Sequence, residues 1–551
     1  MIYLHLSEWL DVWKSIIIIY FILLLLLLYK YKFRWTVLGF DCLLMATGGI
    51  CLRMGMHFKT YVYLIKYVVL ALPIFYCTRC LTSYFRTKIK YIVISLVQLL
   101  YLLLPLANFS YYLESRHGLG KDAMFALAQT NWHETLSFLS GKPILVSEFF
   151  ILFLSLLIVI YFVNAKLDNN TYQYHLNSKY SYIIFMIGFL LLGNYLVRNV
   201  LAHSNLAMAY QDSRNFLMGI ANKKIPPDLQ VISLDPKMGN IIVIIGESAN
   251  RSYFSLYGFK YDTTPWLVSM KADPKFLWFT NAYTCNKFTG KAVPMALSEF
   301  NQYNGLKIGQ GADLVEIFHA LGYKIWWISN QGRNKNFVEG FMNIAMRADN
   351  RIFLDNEKPL FDGLLVTKLP KDVSGKNLVF IHQIGSHGSY IDRSPQEFKR
   401  IHFPGIKSNV NDLNEYCDSI LYTDYTLRLL FQKTAENLKP DVFLYFSDHG
   451  ENPGVPRDHF EWPMSRIPLI MWFSDRYMQR NANIFKNLQR HQNYFFTNDL
   501  LYDTILGIAR VKTNHYGSQY DLSSPNYAYD KDTVMTEYGT IKISEDPQIK
   551  K

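Results

Sequence analysis

Six stretches in the first 200 residues are long, apolar and almost free of charge, near 15–30, 36–56, 60–77, 91–110, 145–164 and 181–198. A bilayer crossing takes roughly 20 mainly apolar residues. The N-terminal half is therefore predicted to be an α-helical transmembrane bundle, residues 1–200. The second run is the weakest, with Asp41, Gly48 and Gly49 inside it and Arg53 at its end. The third contains Lys66. An intramembrane Asp41–Lys66 pair is one reading, and a snorkelling lysine is the other. No small-x-small cleavage site follows the first run, so it does not read as a cleaved signal peptide.

Charge orients the bundle. Lys30, Lys32 and Arg34 form one basic loop, and Arg79, Arg86, Lys88 and Lys90 form another. Both face the cytoplasm by the positive-inside rule, so an even number of crossings separates them. The count is six with the N-terminus outside, or five if the second run only dips in. The loop 111–144 and everything after residue 200 then lie outside. Within that loop, 122–139 has apolar residues at helical spacing (Met124, Leu127, Trp132, Leu136, Leu139). It reads as an amphipathic helix on the outer membrane face, or one packed on the soluble part.

The remaining composition excludes little but agrees. Aromatic residues make up 16% of the 551, including 39 tyrosines, which suits membrane interfaces. The net charge of +12 reflects loop and surface lysines, with attraction to anionic headgroups as the more specific reading. No basic tract with interleaved aromatics points to nucleic acid. Of six cysteines, only Cys285 and Cys417 lie in the soluble half, so at most one disulfide forms there. Cys77 and Cys80 have redox spacing but no βαβ pattern around them.

Residues 201–235 read as a linker ending at Pro226-Pro227, and 236–551 as an α/β domain. Its runs IIVIIG (241–246), KIWWIS (324–329), LVFIHQIG (378–385), VFLYFS (442–447) and IPLIMWF (467–473) are continuously apolar. Strands buried on both faces of a mostly parallel sheet read this way, and such sheets collect ligands at their carboxyl ends. Three ends carry chemistry: Gly246-Glu247-Ser248, Ser386-His387-Gly388 and Asp448-His449-Gly450. Carboxylate with imidazole suits zinc, so Glu247, Asp448 and His449 are candidate metal ligands. A catalytic zinc keeps an open position for a nucleophile. Thr289, in NAYTCNKFTGKAVPMALSEF (281–300) with a glycine and a proline nearby and a helix predicted from Val293, is the candidate, since a hydroxyl near a helix N-terminus can meet a phosphoryl group. A plain N-cap threonine is the alternative, and periodicity does not choose between them.

Four segments together resemble the membrane-anchored phosphoethanolamine transferases of Gram-negative envelopes, in the alkaline phosphatase/sulfatase superfamily. They are IIVIIGESANRSYFSLYGFKYDTTP (241–265), TCNKFTGKAVP (284–294), FIHQIGSHG (380–388) and YFSDHGENPGVPRDHFEWP (445–463). The apolar N-terminal layout and AQTNWHE in the outer loop match too. The resemblance implies one zinc ion, with a second metal as a further option, held by Glu247, Asp448 and His449 with Thr289 as ligand and nucleophile. Thr289 keeps the family spacing from Cys285 and to Pro294. His387 and His459 are implied to contact the phosphoryl group and assist the leaving group.

The implied reaction moves phosphoethanolamine from phosphatidylethanolamine to a lipopolysaccharide or other envelope glycan acceptor (core heptose, lipid A phosphate or a periplasmic glucan), releasing diacylglycerol, at the periplasmic face of the inner membrane. GESANRSYFSLYG and DTVMTEYG (532–539) look more like members acting on core sugars than on lipid A. Lys287 and Lys291 flank Thr289 and read as solvated loop lysines or as guides for an anionic donor. Asn131 and Glu134 are weaker candidates for lipid-headgroup contacts. A phosphoglycerol transferase using phosphatidylglycerol, often with manganese, is the runner-up, and a non-catalytic membrane lipid sensor or scaffold a distant third. A sulfatase is disfavoured, because Thr289-Gly-Lys-Ala-Val lacks the cysteine or serine that becomes formylglycine.

Overall fold

The computed structural model describes residues 35–53, 61–115, 143–167, isolated positions between 183 and 220, and 222–549 apart from 332–339, 355–360, 372–373, 402–409, 456 and 458. The runs near 15–30 and 181–198 and the segment 122–139, with Asn131 and Glu134, fall wholly or mostly outside these. The chain separates into two compact units, with the boundary in the connecting segment at Gln211/Asp212.

In the N-terminal unit, four helices replace the four middle apolar runs: α1 (Trp35–Arg53), α2 (Tyr61–Leu81), α3 (Thr87–Ser115) and α4 (Pro143–Leu167). Thr36–Arg53, Thr87–Tyr112 and Phe150–Leu167 are long and apolar enough to cross a membrane; the apolar stretch within α2, Tyr67–Leu81, is shorter. α3 reaches Ser115 and so takes in the first five residues assigned to the loop 111–144. Leu44, Leu70, Phe75, Leu99, Leu102 and Ile160 pack between the helices. On α4, Phe150, Ile151, Leu154, Ile158 and Phe162 stay exposed. A helix apolar all round is suited to lipid on its outer face.

The polar residues of this bundle meet one another. Arg79 Nη2 donates to Asp41 Oδ1 at 2.8 Å and to Asn164 Oδ1 at 3.0 Å. Gln98 Nε2 donates to the same Asp41 oxygen at 2.6 Å, and Asn164 Nδ2 to Gln98 Oε1 at 2.7 Å. All four helices contribute one member. Asp41 thus pairs with Arg79, which is a buried helical residue, not a loop residue. Asp41 lies near the start of α1 and Arg79 near the end of α2, the same end of an antiparallel pair. Lys66 is about 20 Å from Arg79 along α2, at 1.5 Å per residue.

The C-terminal unit is built on a seven-stranded sheet. Its strands are β1 (Ile241–Gly246), β2 (Phe276–Trp278), β3 (Lys324–Ser329), β4 (Asn350–Phe353), β5 (Asn377–His382), β6 (Val442–Ser447) and β7 (Leu469–Phe473). Their spatial order is β2-β7-β6-β1-β5-β3-β4. Neighbours from β6 to β4 run parallel, and β7 runs antiparallel to β6 and β2. The runs are continuously apolar because both faces are covered. Val243, Ile245 and Leu444 face a core closed by α5 (Thr289–Ala296) and α6 (Leu314–Ala320). Ile242, Ile244 and Phe443 face the long helix α7 (Val410–Asn437) through Tyr416, Ile420 and Leu427.

The end of the predicted linker belongs to this unit. Val231–Ser233 pairs antiparallel with Val511–Thr513. Lys223 forms ion pairs with Asp313 and Glu316, the two residues of the α6 capping box.

Candidate active site

β1 and β6 are in parallel register with Gly246 opposite Ser447. The next residues, Glu247 and Asp448, therefore emerge side by side at the carboxyl edge. β5 lies on the other side of β1, with His382 opposite Ile245. Its loop turns back so that the Ser386 N–H donates to the Glu247 carbonyl at 3.0 Å. The turn needs Gly385: its φ is +48°, and a Cβ there would stand 2.6 Å from the Glu247 carbonyl oxygen. Ser248, with φ 58°, also occupies the left-handed region. It is held there by its N–H on Asp448 Oδ1 (3.0 Å), its hydroxyl on Glu247 Oε1 (2.6 Å) and the Tyr416 hydroxyl on its carbonyl (2.7 Å). Backbone strain held by surrounding bonds is common at functional sites.

Glu247, Asp448 and His449 are fully buried, and one potential ligand atom from each lies within 4.8 Å of the others. His449 Nε2 is 3.4 Å from both Glu247 Oε1 and Asp448 Oδ2. His449 Nδ1 lies 2.8 Å from the Gly450 carbonyl, so that nitrogen is a donor in either charge state, and Nε2, which faces the two carboxylates, carries a proton in the imidazolium and a lone pair for a metal in the neutral ring. Asp448 Oδ2 is buried and finds no hydrogen-bond donor among the described residues. Two carboxylates, an imidazole lone pair and an orphaned carboxylate oxygen form a donor set that fits zinc.

Thr289 joins this set. Its Oγ1 donates to Glu247 Oε2 at 3.0 Å and lies 3.3 Å from His449 Nε2. It is not an N-cap: Phe288 holds that position, and Thr289 is the first residue of α5.

The electrostatics favour a cation. Burial works against the Glu247 charge, but the His449 hydrogen bond and the charges of His449, His387 and Arg457 hold its pKa well below the carboxylate range. Burial, then the charge of Glu247, pushes Asp448 up to about 7. Burial disfavours charge on His449 as well, yet Asp448 and Glu247 raise it. A divalent ion would relieve the repulsion between the two carboxylates.

His387 is half-buried on the loop after β5, its carbonyl fixed by Arg393 Nε at 2.8 Å. His459 pairs with Glu461 at 3.2 Å. Lys287 is not solvated: it is fully buried, its ammonium 5.5 Å from the Phe288 ring centroid. Lys291 lies against the rings of Phe288 and Tyr538. Both are covered because the C-terminal hairpin β8 (Met535–Thr536) and β9 (Ile541–Lys542) folds over the loop before Thr289. Tyr538 N–H donates to the Cys285 carbonyl at 3.2 Å, and Thr536 Oγ1 to the Thr284 carbonyl at 2.7 Å. Cys285 and Cys417 do not pair; both are buried free thiols, and burial pushes both pKa values up.

Several contributing residues escape sequence reasoning. Gln331 Nε2 donates to Glu247 Oε2 at 2.8 Å and to the Gln383 carbonyl at 3.1 Å. Its signal was available, because Asn330-Gln331 ends the run KIWWIS just as the other motifs end theirs. Arg457, which contacts His449 and Ser248, and Glu537, at the hairpin tip, lie inside the quoted segments 445–463 and 532–539, but neither follows a strand, so nothing local singles them out.

Residues 239–511 match the family model described as Sulfatase. A curated relative, phosphoethanolamine transferase EptC of Escherichia coli O18:K1:H7, is 28% identical over 312 residues, covering 50% of this chain and 52% of the relative. The chain thus spans about half the length of the curated relatives it matches. The C-terminal periplasmic domain of EptC from Escherichia coli superposes with a TM-score of 0.54 at 22% identity, covering 60% of this chain and 99% of that one. The integral membrane lipooligosaccharide phosphoethanolamine transferase A from Neisseria meningitidis gives 0.52 at 18% identity, covering 79% and 90%. At these identities the two structures speak for the fold alone.

Proposed function

Since residues 239–511 form a sulfatase-family domain of the alkaline phosphatase/sulfatase superfamily, we propose that this protein is a zinc-dependent phosphoethanolamine transferase anchored in the inner membrane, with its catalytic unit in the periplasm. The observation that carries this reading is the Thr289 hydroxyl lying within 3.3 Å of both Glu247 and His449, inside a buried three-ligand cluster. The relatives named for this activity support the donor group.

Glu247, Asp448 and His449 would hold the ion, which supplies positive charge to acidify a neighbouring hydroxyl and to neutralise phosphoryl oxygens. Thr289 Oγ, its proton lost to solvent, attacks the phosphorus of phosphatidylethanolamine in line. The bond from phosphorus to the diacylglycerol oxygen breaks, and that oxygen takes a proton from His387 or His459. Phosphoethanolamine remains on Thr289. A lipopolysaccharide oxygen, on a core sugar in preference to lipid A, then attacks the same phosphorus. Thr289 Oγ leaves and regains a proton as the acceptor loses its own.

The test is the intact mass of full-length protein incubated with phosphatidylethanolamine, with Thr289→Ala alongside. A gain of one phosphoethanolamine group, absent in the variant, is expected. A phosphoglycerol adduct from phosphatidylglycerol in its place would assign the other donor. Transfer persisting in Thr289→Ala would remove the covalent route.

A further inference from the structure

Arg457 lies eight residues beyond His449, in a loop whose role the motifs leave open. Its Nη1 is 2.9 Å from His449 Nε2, the same atom that lies 3.3 Å from the Thr289 hydroxyl. The guanidinium and the candidate nucleophile therefore converge on one nitrogen. The rest of the fork is anchored. Nε donates to Glu451 Oε2 at 2.9 Å, and Nη2 reaches the same carboxylate at 2.6 Å and the Ser248 hydroxyl at 2.9 Å. The Glu451 side chain is 4% exposed and that of Arg457 19%, so this clamp is largely buried.

In the neutral ring His449 Nε2 has a single lone pair, since the ring proton is on Nδ1 and committed to the Gly450 carbonyl. One lone pair cannot serve both an arginine N–H and a metal. Arg457 Nη1 and a metal thus compete for His449. When the metal takes Nε2, Nη1 loses its acceptor while Glu451 and Ser248 still hold the guanidinium in place. A cationic N–H left without an acceptor in a buried site is costly. A further acceptor beside Thr289 would be an oxygen of the group transferred to it. Arginine–phosphate contacts are charge-assisted and strong.

From this competition we infer that Arg457 is a phosphoryl-binding residue, released from His449 by the metal and turned onto a non-bridging oxygen of a phosphate ester at Thr289. The ligand class is a phosphate monoester or diester, with inorganic phosphate as its simplest probe. The inference rests on the phosphoryl-transfer reading above.

The experiment uses full-length protein in detergent. Zinc affinity is measured by chelator competition, and inorganic phosphate affinity by calorimetry on the zinc-loaded form. Arg457→Gln is expected to bind zinc several-fold more tightly, because the competitor for His449 is gone, and to bind phosphate at least tenfold more weakly. Arg457→Lys, which keeps the charge and loses the fork, guards against misfolding and should retain part of the phosphate affinity. Unchanged phosphate affinity in both variants, weaker zinc binding in Arg457→Gln, or a zinc-loaded wild type that binds no phosphate would each overturn the inference. The tenfold phosphate loss without any phosphatidylethanolamine adduct on the wild type would uphold Arg457 and overturn the donor assignment instead.

Discussion

Glu537 Oε1 accepts the backbone N–H of Lys287 at 3.0 Å across 250 residues of sequence. The bond fixes the loop two residues before Thr289 from the tip of the C-terminal hairpin. That tip is strained, since Glu537 and Tyr538 have φ values of 50° and 59°. Non-glycine residues in the left-handed region cost of order 1–3 kcal/mol and persist where the surroundings demand them.

Removing this bond should loosen the nucleophile more than the fold. Glu537→Ala leaves a Lys287 N–H without its acceptor, at roughly 1–3 kcal/mol. A displacement of about 1 Å at a nucleophile can cost 100-fold in rate. The expected result is a fall in adduct formation of tenfold or more with a small change in melting temperature. Glu537→Gln, which keeps an acceptor oxygen, should restore most of the rate. Equal rates in wild type and Glu537→Ala would make the hairpin a bystander.

Gln331 should tune the metal. It donates to the Glu247 oxygen that also receives Thr289. Outer hydrogen bonds to metal ligands are typically worth 10–100-fold in affinity or activity. Gln331→Leu is expected to lower zinc affinity by about that range in a chelator competition, and Glu247→Gln by more. Zinc affinity indifferent to Glu247→Gln would displace this cluster as the metal site.

The Asp41–Arg79 pair predicts non-additive stability. Breaking a buried pair on one side typically costs about 3–5 kcal/mol, because the other charge is left uncompensated. Asp41→Ala and Arg79→Ala should each lower the detergent-solubilised melting temperature. The double variant should be less destabilised than the two losses combined. Strictly additive losses would show that the two charges are not coupled.

Asp521 should give the C-terminal unit a pH-dependent stability. Burial pushes its pKa up to about 7, only partly offset by hydrogen bonds from Tyr516 and Ser523. The unfolded value is about 3.9. Between those values the folded chain holds a proton that the unfolded chain releases, so stability falls as pH rises from about 4 to 7. Asp521→Asn keeps the shape and removes the charge. Its melting temperature relative to wild type should rise between about pH 4 and 7 and level off above that. A difference independent of pH would mean that Asp521 titrates normally in the folded chain.

The sequence by itself determined what local patterns encode. Continuous apolar runs specify helices with lipid-compatible faces and strands covered on both sides, so four described helices and the five named strands fall close to where the pattern puts them. The chemistry at strand ends is local too, and parallel register carries Glu247, Asp448 and His449 to one edge. Contacts between distant segments were illegible. Only the tertiary structure decided that Asp41 meets Arg79, because the helix hairpin sets which ends align. It alone buried Lys287, because a hairpin 250 residues away closes over it. Arg457 joined the site for the same reason: packing selects it, and one-dimensional spacing does not record which groups packing brings together, whereas Gln331 stands at a strand end that the pattern does mark.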